Sequence, residues 1–395
     1  MRIGINCLEV NPSFVGGVNT YVTGLLDGFA AVGNGCRFRL FVTTANQSLF
    51  SKYAGNPHFE TVVLNEKSFL LRKNLCRATL FSHSEGIHKF ACDSAFNAIC
   101  NMMEMESDIV YTPTPVLLSF SNRKPTVLTM HDIQHVHHPE FFSWSRRLSR
   151  RITYGLSARH ASYLQANSQY TKEDLLSHFP WLAPEQVEVI PSGVLIEKFS
   201  TPAPVDALSR RYDLPERFLF CPAQLWPHKN HLTILKALKL IEAEHGLKIP
   251  LILTGGKFSE APRIFDFIAS QSMSYVRYLG KVSSEDMVAL YQKAAFMITA
   301  TLHESSSLPV LEAAAAGTPV IASRIPPLEE LAGVLQLNLF APLDAQELAR
   351  LIYALWDDGR LSSAQAAHNR EQARLFSWEK TARKYVQLFE RVANS

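Results

Sequence analysis

The chain repeats one pattern in both halves: a short apolar run, a turn, and then apolar residues at helical spacing. In the first half, the run Ile3–Cys7 precedes Gly16 and Gly17, and a helical pattern follows over residues 21–29. In the second half, runs such as Phe218–Cys221 alternate with helical patterns in the same way. Alternating strands and helices form parallel sheets with helices on both faces. The sequence therefore predicts an α/β protein with two doubly wound domains.

The length agrees with two domains, because 395 residues exceed one ordinary core. A helical pattern covers residues 143–164, and Thr171 with Asp174 resembles the capping box of the next helix. Prolines and weak periodicity place the linker at about residues 195–215. We predict an N-terminal domain over residues 1–198 and a C-terminal domain over residues 199–395. The last helices, at about residues 371–395, are expected to close the second domain or to pack back on the first.

The charge balance narrows the possible partners. Lys and Arg number 39 and Asp and Glu number 36, which leaves a net charge of +3. A dedicated nucleic-acid-binding protein needs a stronger positive field, so we expect no nucleic-acid partner. Apolar runs are too short to cross a membrane, and the six scattered cysteines indicate reduced thiols. The expected location is the cytoplasm.

The most informative segment covers residues 303–319 and reads HESSSLPVLEAAAAGTP. Ser306 or Ser307 can cap a helix that ends at Gly317. The first amides of such a helix, those of Ser307 and Leu308, offer a binding site for a phosphate.

Two glutamates bracket the start of this helix: Glu304 precedes it and Glu312 lies within it. A carboxylate in contact with a phosphate would repel it, so both are better assigned to hydroxyl donors, such as those of a sugar or a ribose. The residues alone leave an alternative open, in which Glu304 is a loop charge and Glu312 is a solvated helix residue.

The spacing of Glu304 and Glu312, within LPVLEA and followed by AGTPVIA, resembles the retaining, nucleotide-sugar-dependent glycosyltransferases of family 4, which have the GT-B fold. Four other segments resemble the same family, in the same order along the chain. They are the glycine loop at Gly16 and Gly17, the pair His131 and Asp132, the loop over residues 222–230, and the strand and helix over residues 278–294. The similarity covers roughly residues 1–390.

This resemblance implies two Rossmann-like domains that face a central crevice. It also implies a hexosyltransferase that moves a sugar from a nucleotide diphosphate to a glycan or lipid-linked acceptor with retention. Mannose from GDP-mannose is the first expectation, in bacterial surface polysaccharide or lipopolysaccharide synthesis. No Asp-x-Asp motif is present to hold a divalent metal, so we expect catalysis without metal or cofactor. A nucleotide-sugar epimerase of the same fold and a non-catalytic nucleotide-sugar-binding protein stay open as alternatives.

The resemblance assigns roles to individual residues. The implied catalytic residues are His131 against the transferred sugar, Glu304 at the sugar hydroxyls and Lys229 at the departing diphosphate. A structural histidine at the end of a strand is the alternative for His131. Glu312 is implied to accept from the ribose hydroxyls. The other implied donor-binding positions are Gly16, Gly17, Gln224, Tyr278, Ser306, Ser307 and Leu308. Many relatives have Arg or Thr near Gln224, so this chain supplies less positive charge there.

Basic and aromatic residues concentrate in one segment of the first domain. No acidic residue lies between Glu140 and Glu173. With the neighbouring aromatic residues, this segment could rest on an anionic membrane and admit a lipid-linked acceptor. Residues 69–75 form a second candidate, and the alternative for both is an ordinary amphipathic helix with a solvated basic face. The arginines considered for this role are Arg146, Arg147, Arg150 and Arg151.

Three histidines, His135, His137 and His138, follow closely behind His131. We favour an acceptor-lining loop here, with Asp132 and His135 as candidates. A metal site is the alternative, although Pro139 interrupts the helical spacing that such a site usually uses.

Overall fold

The computed structural model describes residues 1–11, 16–32, 35–357 and 359–394. Its strands form two separate sheets. In chain order they are β1 Arg2–Asn6, β2 Arg37–Thr43, β3 Phe59–Leu64, β4 Ile109–Thr112, β5 Thr126–Thr129, β6 Tyr163–Ala166, β7 Val187–Val189, β8 Leu219–Pro222, β9 Leu251–Thr254, β10 Val276–Tyr278, β11 Phe296–Thr299, β12 Val320–Ser323 and β13 Asn338–Phe340.

Helices occupy most of the connections between these strands, and short 3-10 turns occupy several others. The α-helices are α1 Gly17–Val32, α2 Glu66–Thr79, α3 Glu85–Met105, α4 Gln134–His137, α5 Trp144–His160, α6 Gln169–His178, α7 Ile196–Ser200, α8 Val205–Tyr212, α9 His231–His245, α10 Ala261–Ser270, α11 Ser284–Lys293, α12 Leu308–Ala316, α13 Pro326–Ala332, α14 Ala345–Asp357, α15 Gly359–Ala373 and α16 Trp378–Ala393.

Every strand pairing in both sheets is parallel. The first sheet has the order β3-β2-β1-β4-β5-β6-β7, and the second has the order β10-β9-β8-β11-β12-β13. In each sheet the order reverses next to the first strand, and such reversals place ligand sites at the carboxyl ends of the strands. The predicted class, α/β with two doubly wound sheets, is confirmed.

The first compact unit combines residues 1–192 with residues 378–395, so the chain leaves this unit and returns to it at the end. The returning helix, α16, packs on α1. At Gly24 and Gly28 of α1, an added Cβ would collide with Trp378, the first residue of α16. The two helices therefore approach more closely than any side chain at these positions allows.

The second unit covers residues 193–377. Its central strands are buried on both faces, as in a parallel sheet covered by helices. In β8, Phe220 faces one apolar cluster with Ile252, whereas Leu219 and Cys221 face the opposite cluster with Leu251. This alternation explains why the strands of this unit read as continuous apolar runs.

Three local expectations were wrong. The helical pattern read through to Leu164 ends at His160, and β6 begins at Tyr163. The region expected to be a linker contains α7 and α8 and buries Phe199 and Leu208 in the second unit. The cap of α6 is the side chain of Ser168, which accepts from the amide of Thr171, a residue of the helix itself.

Candidate active site

Two loops of the second unit are held together at the carboxyl ends of β8 and β11. The side-chain amide of Asn230 donates to the carbonyls of Ala300, at 3.1 Å, and Pro342, at 2.8 Å. The amide of Leu302 donates to the carbonyl of His228 at 2.7 Å. Asn230 has a φ of 52°, a left-handed conformation that asparagine tolerates. These bonds fix Lys229 and Glu304 on neighbouring loops.

Lys229 and Glu304 form an ion pair with an Nζ to Oε1 distance of 2.5 Å. Both side chains are largely shielded, with 19% and 14% of their surfaces exposed. The two residues that the sequence analysis assigned to the diphosphate and to the sugar are therefore each other's partners here. A donor that engages either residue must compete with this ion pair or share it.

The helix α12 begins with an unusual arrangement. Ser307 occupies the N-cap position, but its side chain makes no capping hydrogen bond. Its hydroxyl is buried without a hydrogen-bond partner among the described residues. Leu308 follows as the first helical residue, so its amide has no partner within the helix. A buried hydroxyl beside such an amide can donate hydrogen bonds to an anion and orient it. Ser306 precedes them and is half-buried.

Glu312 lies one turn further along α12, and its carboxylate accepts from the Tyr291 hydroxyl at 2.8 Å. Removal of the carboxyl group from water raises its pKa to about 7, and the Tyr291 hydrogen bond opposes part of that rise. Tyr291 itself is fully buried against Phe199 and Phe220. Glu312 is therefore a positioned, shielded carboxyl group rather than a solvated surface charge.

Aromatic residues surround the ends of β8 and β9. Gln224 accepts from the Trp226 indole at 2.9 Å, and Trp226 stacks on Phe258 with a centroid distance of 3.9 Å. Tyr278 donates to the carbonyl of Gly255 at 2.6 Å. Gly255 has a φ of 120°, and a Cβ there would lie 2.7 Å from a backbone oxygen, so only glycine fits.

The glycine loop of the first unit is described only in part, because Val15 lies outside the described residues. Gly16 precedes α1 and Gly17 begins it. Among the described residues, no atom lies within 4 Å of a Cβ placed at Gly17. Contacts with those residues therefore give no reason for glycine at this position.

His131 follows β5, and both of its ring nitrogens have protein partners. Nε2 lies 3.2 Å from the carbonyl oxygen of Pro113, and Nδ1 lies 3.1 Å from the side-chain nitrogen of Asn167. Removal of the ring from water lowers the pKa of His131, against the opposing charge of Asp132. A sugar hydroxyl that bonds to this ring must therefore compete with a protein partner.

The neighbouring acceptor-side candidates differ in their burial and in their hydrogen-bond partners. The Asp132 carboxylate accepts from the backbone amide of Gln134 at 3.0 Å. His135 is buried with its ring edge-on to Tyr154, so it does not line a surface loop. His137 pairs with Asp174, and His138 pairs with Glu140. Within the part of the chain that the structure describes, no three His, Cys, Asp or Glu residues form a group that could hold a metal ion.

The arginines of α5 are not equivalent. Arg146, Arg147 and Arg151 are exposed. Arg150 is instead half-buried, and its guanidinium lies over the Phe142 ring with a centroid distance of 4.5 Å. Arg150 is therefore held by local packing, whereas the other three face solvent.

Two residues of these sites escaped sequence reasoning. Tyr291 belongs to a segment that resembles the family, but its hydrogen bond to Glu312 depends on how α11 and α12 pack. Asn167 reaches His131 across 36 positions of the chain. Neither residue has a local sequence signal that distinguishes it from a structural residue.

Comparison with protein families finds two matches along the chain. The family described as Glycosyltransferase Family 4 matches residues 15–198, and the family described as Glycosyl transferases group 1 matches residues 216–358. The first match covers most of the first unit and extends to residue 198, six residues into the second unit, and the second match lies within the second unit.

Among curated proteins, the chain is 28% identical over 197 residues to the serotype-specific mannosyltransferase WbdA of Escherichia coli. That match covers 48% of this chain and 24% of WbdA, so the chain spans about a quarter of the length of that relative. It is also 28% identical over 259 residues to the O-antigen chain mannosyltransferase B of Escherichia coli, with coverage of 64% of this chain and 67% of the relative.

Among solved structures, Anabaena HepE in complex with UDP and glucose superposes with a TM-score of 0.74. The match covers 99% of this chain and 100% of HepE at 19% sequence identity. At that identity, the likeness concerns the fold.

Proposed function

The chain belongs to the family 4, group 1 glycosyltransferases with the GT-B fold, and on this premise we propose that it transfers a hexose from a nucleotide diphosphate to a glycan or lipid-linked acceptor. The first donor to consider is GDP-mannose, because the Escherichia coli relatives are mannosyltransferases. Bacterial surface polysaccharide or lipopolysaccharide synthesis is the proposed setting.

The observation that carries this proposal is the polar cluster of the second unit. Glu312 presents a shielded carboxyl group, and Ser307 presents a buried hydroxyl without a partner. Lys229 supplies a cation from the adjacent loop. Together they provide an acceptor for ribose hydroxyls and a positive environment for a diphosphate. We also propose Gly17 of the first unit as a donor-binding position, since a Cβ placed there would meet none of the described residues within 4 Å and its backbone is open to a ligand.

In the proposed reaction, the protein stabilises charge and holds geometry. Lys229 and the amides at the start of α12 would stabilise the diphosphate as its bond to the sugar breaks. Glu304 would turn from Lys229 to the sugar hydroxyls, and no protein residue would form a covalent adduct. We propose retention of the anomeric configuration and activity without metal. Transfer should therefore persist in EDTA, and the product should keep the anomeric configuration of the donor.

The test is a donor panel with thermal unfolding and transfer as the readouts. GDP, UDP, ADP and their sugar conjugates are added without metal, and transfer is assayed with extracted bacterial lipids as acceptors. We expect one nucleotide class to raise Tm selectively, and Glu312→Ala to remove that rise. Release of free sugar without an acceptor would favour an epimerase. Binding without turnover would favour a non-catalytic protein, and no Tm shift with any nucleotide, together with no transfer, would refute the proposal.

We further propose that the first unit docks on an anionic membrane through its outer helices. Several large apolar side chains are exposed there, including Leu71 and Leu75 on α2, Phe90 on α3 and Trp144 on α5. Exposed arginines accompany Trp144 on α5 and complement an anionic surface. In the described residues, no helix is long and apolar enough to span a bilayer. Peripheral binding is therefore the proposed mode.

Vesicle flotation tests this docking surface. The protein should float with vesicles rich in phosphatidylglycerol and much less with neutral vesicles. The double variant Arg146→Glu/Arg147→Glu should lose flotation. The matched control, Arg383→Glu/Lys384→Glu, changes charge equally at exposed positions of α16 and should float as before. Equal, negligible flotation of the unmodified protein with both vesicle types would refute the docking proposal.

A further inference from the structure

The interior of the first unit contains a cluster of four hydroxyl groups from four elements. Tyr111 of β4 lies 2.8 Å from the hydroxyl of Thr129 of β5, and Tyr385 of α16 lies 3.0 Å from each of them. Tyr21 of α1 also bonds to Tyr385. All four residues are almost completely buried. Because an unpaired buried hydroxyl is costly, this mutual pairing fixes where each ring lies.

A chain of side-chain hydrogen bonds leads from this cluster to His131. The Tyr21 hydroxyl donates to the Gln165 side-chain oxygen at 3.2 Å. Gln165 donates to the side-chain oxygen of Asn167 at 3.0 Å, and the Asn167 nitrogen lies 3.1 Å from His131 Nδ1. Gln165 is held from its other side as well, since it donates to the Ile190 carbonyl at 2.7 Å.

The direction of these bonds selects one form of the His131 ring. The Pro113 carbonyl can only accept, so His131 Nε2 must carry the proton. Nδ1 must then be unprotonated and accept from Asn167. Asn167 cannot rotate its amide freely, because its oxygen already accepts from Gln165. The Tyr21 ring also packs edge-on to His131 with a centroid distance of 4.9 Å.

We propose that Tyr21, Gln165 and Asn167 are positioning residues that hold His131 in the neutral Nε2–H form and in one orientation. Tyr385 of α16 fixes the far end of this series of hydrogen bonds through its bond to Tyr21. The family resemblance implies that His131 lies against the transferred sugar, so the effect on catalysis rests on the proposed function. The effect on the ring itself does not.

The first experiment therefore examines the ring in the absence of any substrate. Long-range ¹H–¹⁵N spectra of protein labelled at its histidine nitrogens distinguish the two neutral tautomers, and loss of the signal in His131→Ala assigns it. In the unmodified protein we expect a protonated Nε2 and an unprotonated Nδ1. Asn167→Ala and Tyr21→Phe should move both shifts toward those of an exchanging mixture.

Tyr111→Phe is the matched control. It removes one hydroxyl from the same buried cluster but leaves the bonds from Tyr385 through Tyr21 and Gln165 in place. A purely structural cluster predicts similar spectra for Tyr21→Phe and Tyr111→Phe. An unchanged His131 signal in both Tyr21→Phe and Asn167→Ala, or an equal change in Tyr111→Phe, would overturn the proposal. If Tyr21→Phe unfolds, Asn167→Ala alone decides, because it breaks the bond nearest to His131.

Steady-state kinetics then connect the ring to turnover. Asn167→Ala should lower kcat roughly tenfold with little change in the donor KM, because a misplaced group costs transition-state stabilisation more than ground-state binding. Tyr111→Phe should keep kcat within about twofold. If the variant changes the His131 tautomer but leaves kcat unchanged, the proposed effect on turnover is wrong, whereas the proposed positioning of the ring stands. Absence of transfer by the unmodified protein refutes the proposed function, whereas the spectra still decide the positioning of His131.

Discussion

Each unit contains a group of buried polar side chains, and the two groups are paired to different degrees. In the first unit, the hydroxyls of Tyr21, Tyr111 and Tyr385 bond to one another and to neighbouring side chains. In the second unit, Ser307 keeps a buried hydroxyl without a described partner, and Glu312 keeps a shielded carboxyl group with a raised pKa. A saturated network fixes structure, whereas an unsaturated one retains hydrogen-bonding capacity for a ligand. The difference fits the donor site proposed at Ser307 and Glu312.

The largest expected effect tests the ligand-binding side of this comparison. Lys229→Ala should lower kcat roughly 10²- to 10³-fold, because it removes the cation proposed to stabilise the departing diphosphate. The control is Lys239→Ala, which breaks a pair with Glu242 of similar length, 2.6 Å, on α9. That variant should keep kcat within about twofold. Transfer rates under saturating donor provide the measurement, and equal losses in both variants would break the comparison.

The next largest effect concerns the first unit and tests the close packing of α16 on α1. Gly28→Ala should reduce the free energy of unfolding by about 1–3 kcal/mol, since the new Cβ collides with the backbone carbonyl of Trp378. Gly155→Ala also introduces alanine into a helix, but its Cβ meets none of the described atoms within 4 Å. It should raise stability by about 0.5–1 kcal/mol. Urea unfolding measures the stability of both variants. If Gly28→Ala is as stable as the unmodified protein, α16 does not pack on α1 as closely as described.

The smallest effect concerns Glu312 and pH. Its pKa of about 7 exceeds the ordinary carboxyl value, so folding favours the protonated form. The stabilising contribution of the protonated group is complete below the unfolded pKa and is lost as the pH rises through about 7. Ribose hydroxyls, in contrast, donate best to the carboxylate.

Affinity for a nucleotide-diphosphate sugar should therefore improve roughly tenfold between about pH 6 and pH 8. Glu312→Gln removes the titration and should make both the affinity and the stability less dependent on pH. Calorimetric titration across this range measures the first effect, and thermal unfolding measures the second. An affinity profile of Glu312→Gln as steep as that of the unmodified protein would show that another group titrates.

Sequence reasoning reached the two parallel sheets because their central strands are buried on both faces and read as uninterrupted apolar runs. It missed β6 because only two residues separate Tyr163 from the end of α5 at His160, so the apolar pattern continues across the break. The spacing of Gly24 and Gly28 on one face of α1 is a signal for close helix packing, but it does not identify the helix that packs there.

In the candidate site too, the sequence predicts some residues but not the contacts that they make. Glu304 and Glu312 could be chosen because their spacing within one segment resembles that of the family. Their pairing with Lys229 and Tyr291 could not be predicted, because these residues meet them only through tertiary packing. Hydrogen-bond partners distant in sequence decide which polar groups are saturated, and a single sequence does not contain that information.

The return of α16 to the first unit reverses the usual order of events during synthesis. Domains commonly fold from the N-terminus onward as the ribosome delivers them. Here the second unit is one continuous stretch, residues 193–377, and it can finish before the first unit has received Trp378 and Tyr385. Until then, the face of α1 that surrounds Gly24 and Gly28 lacks its cover. The part of the protein that is made first is therefore completed last, and ribosomes stalled short of residue 378 would hold an unfinished first unit open to chaperones and proteases.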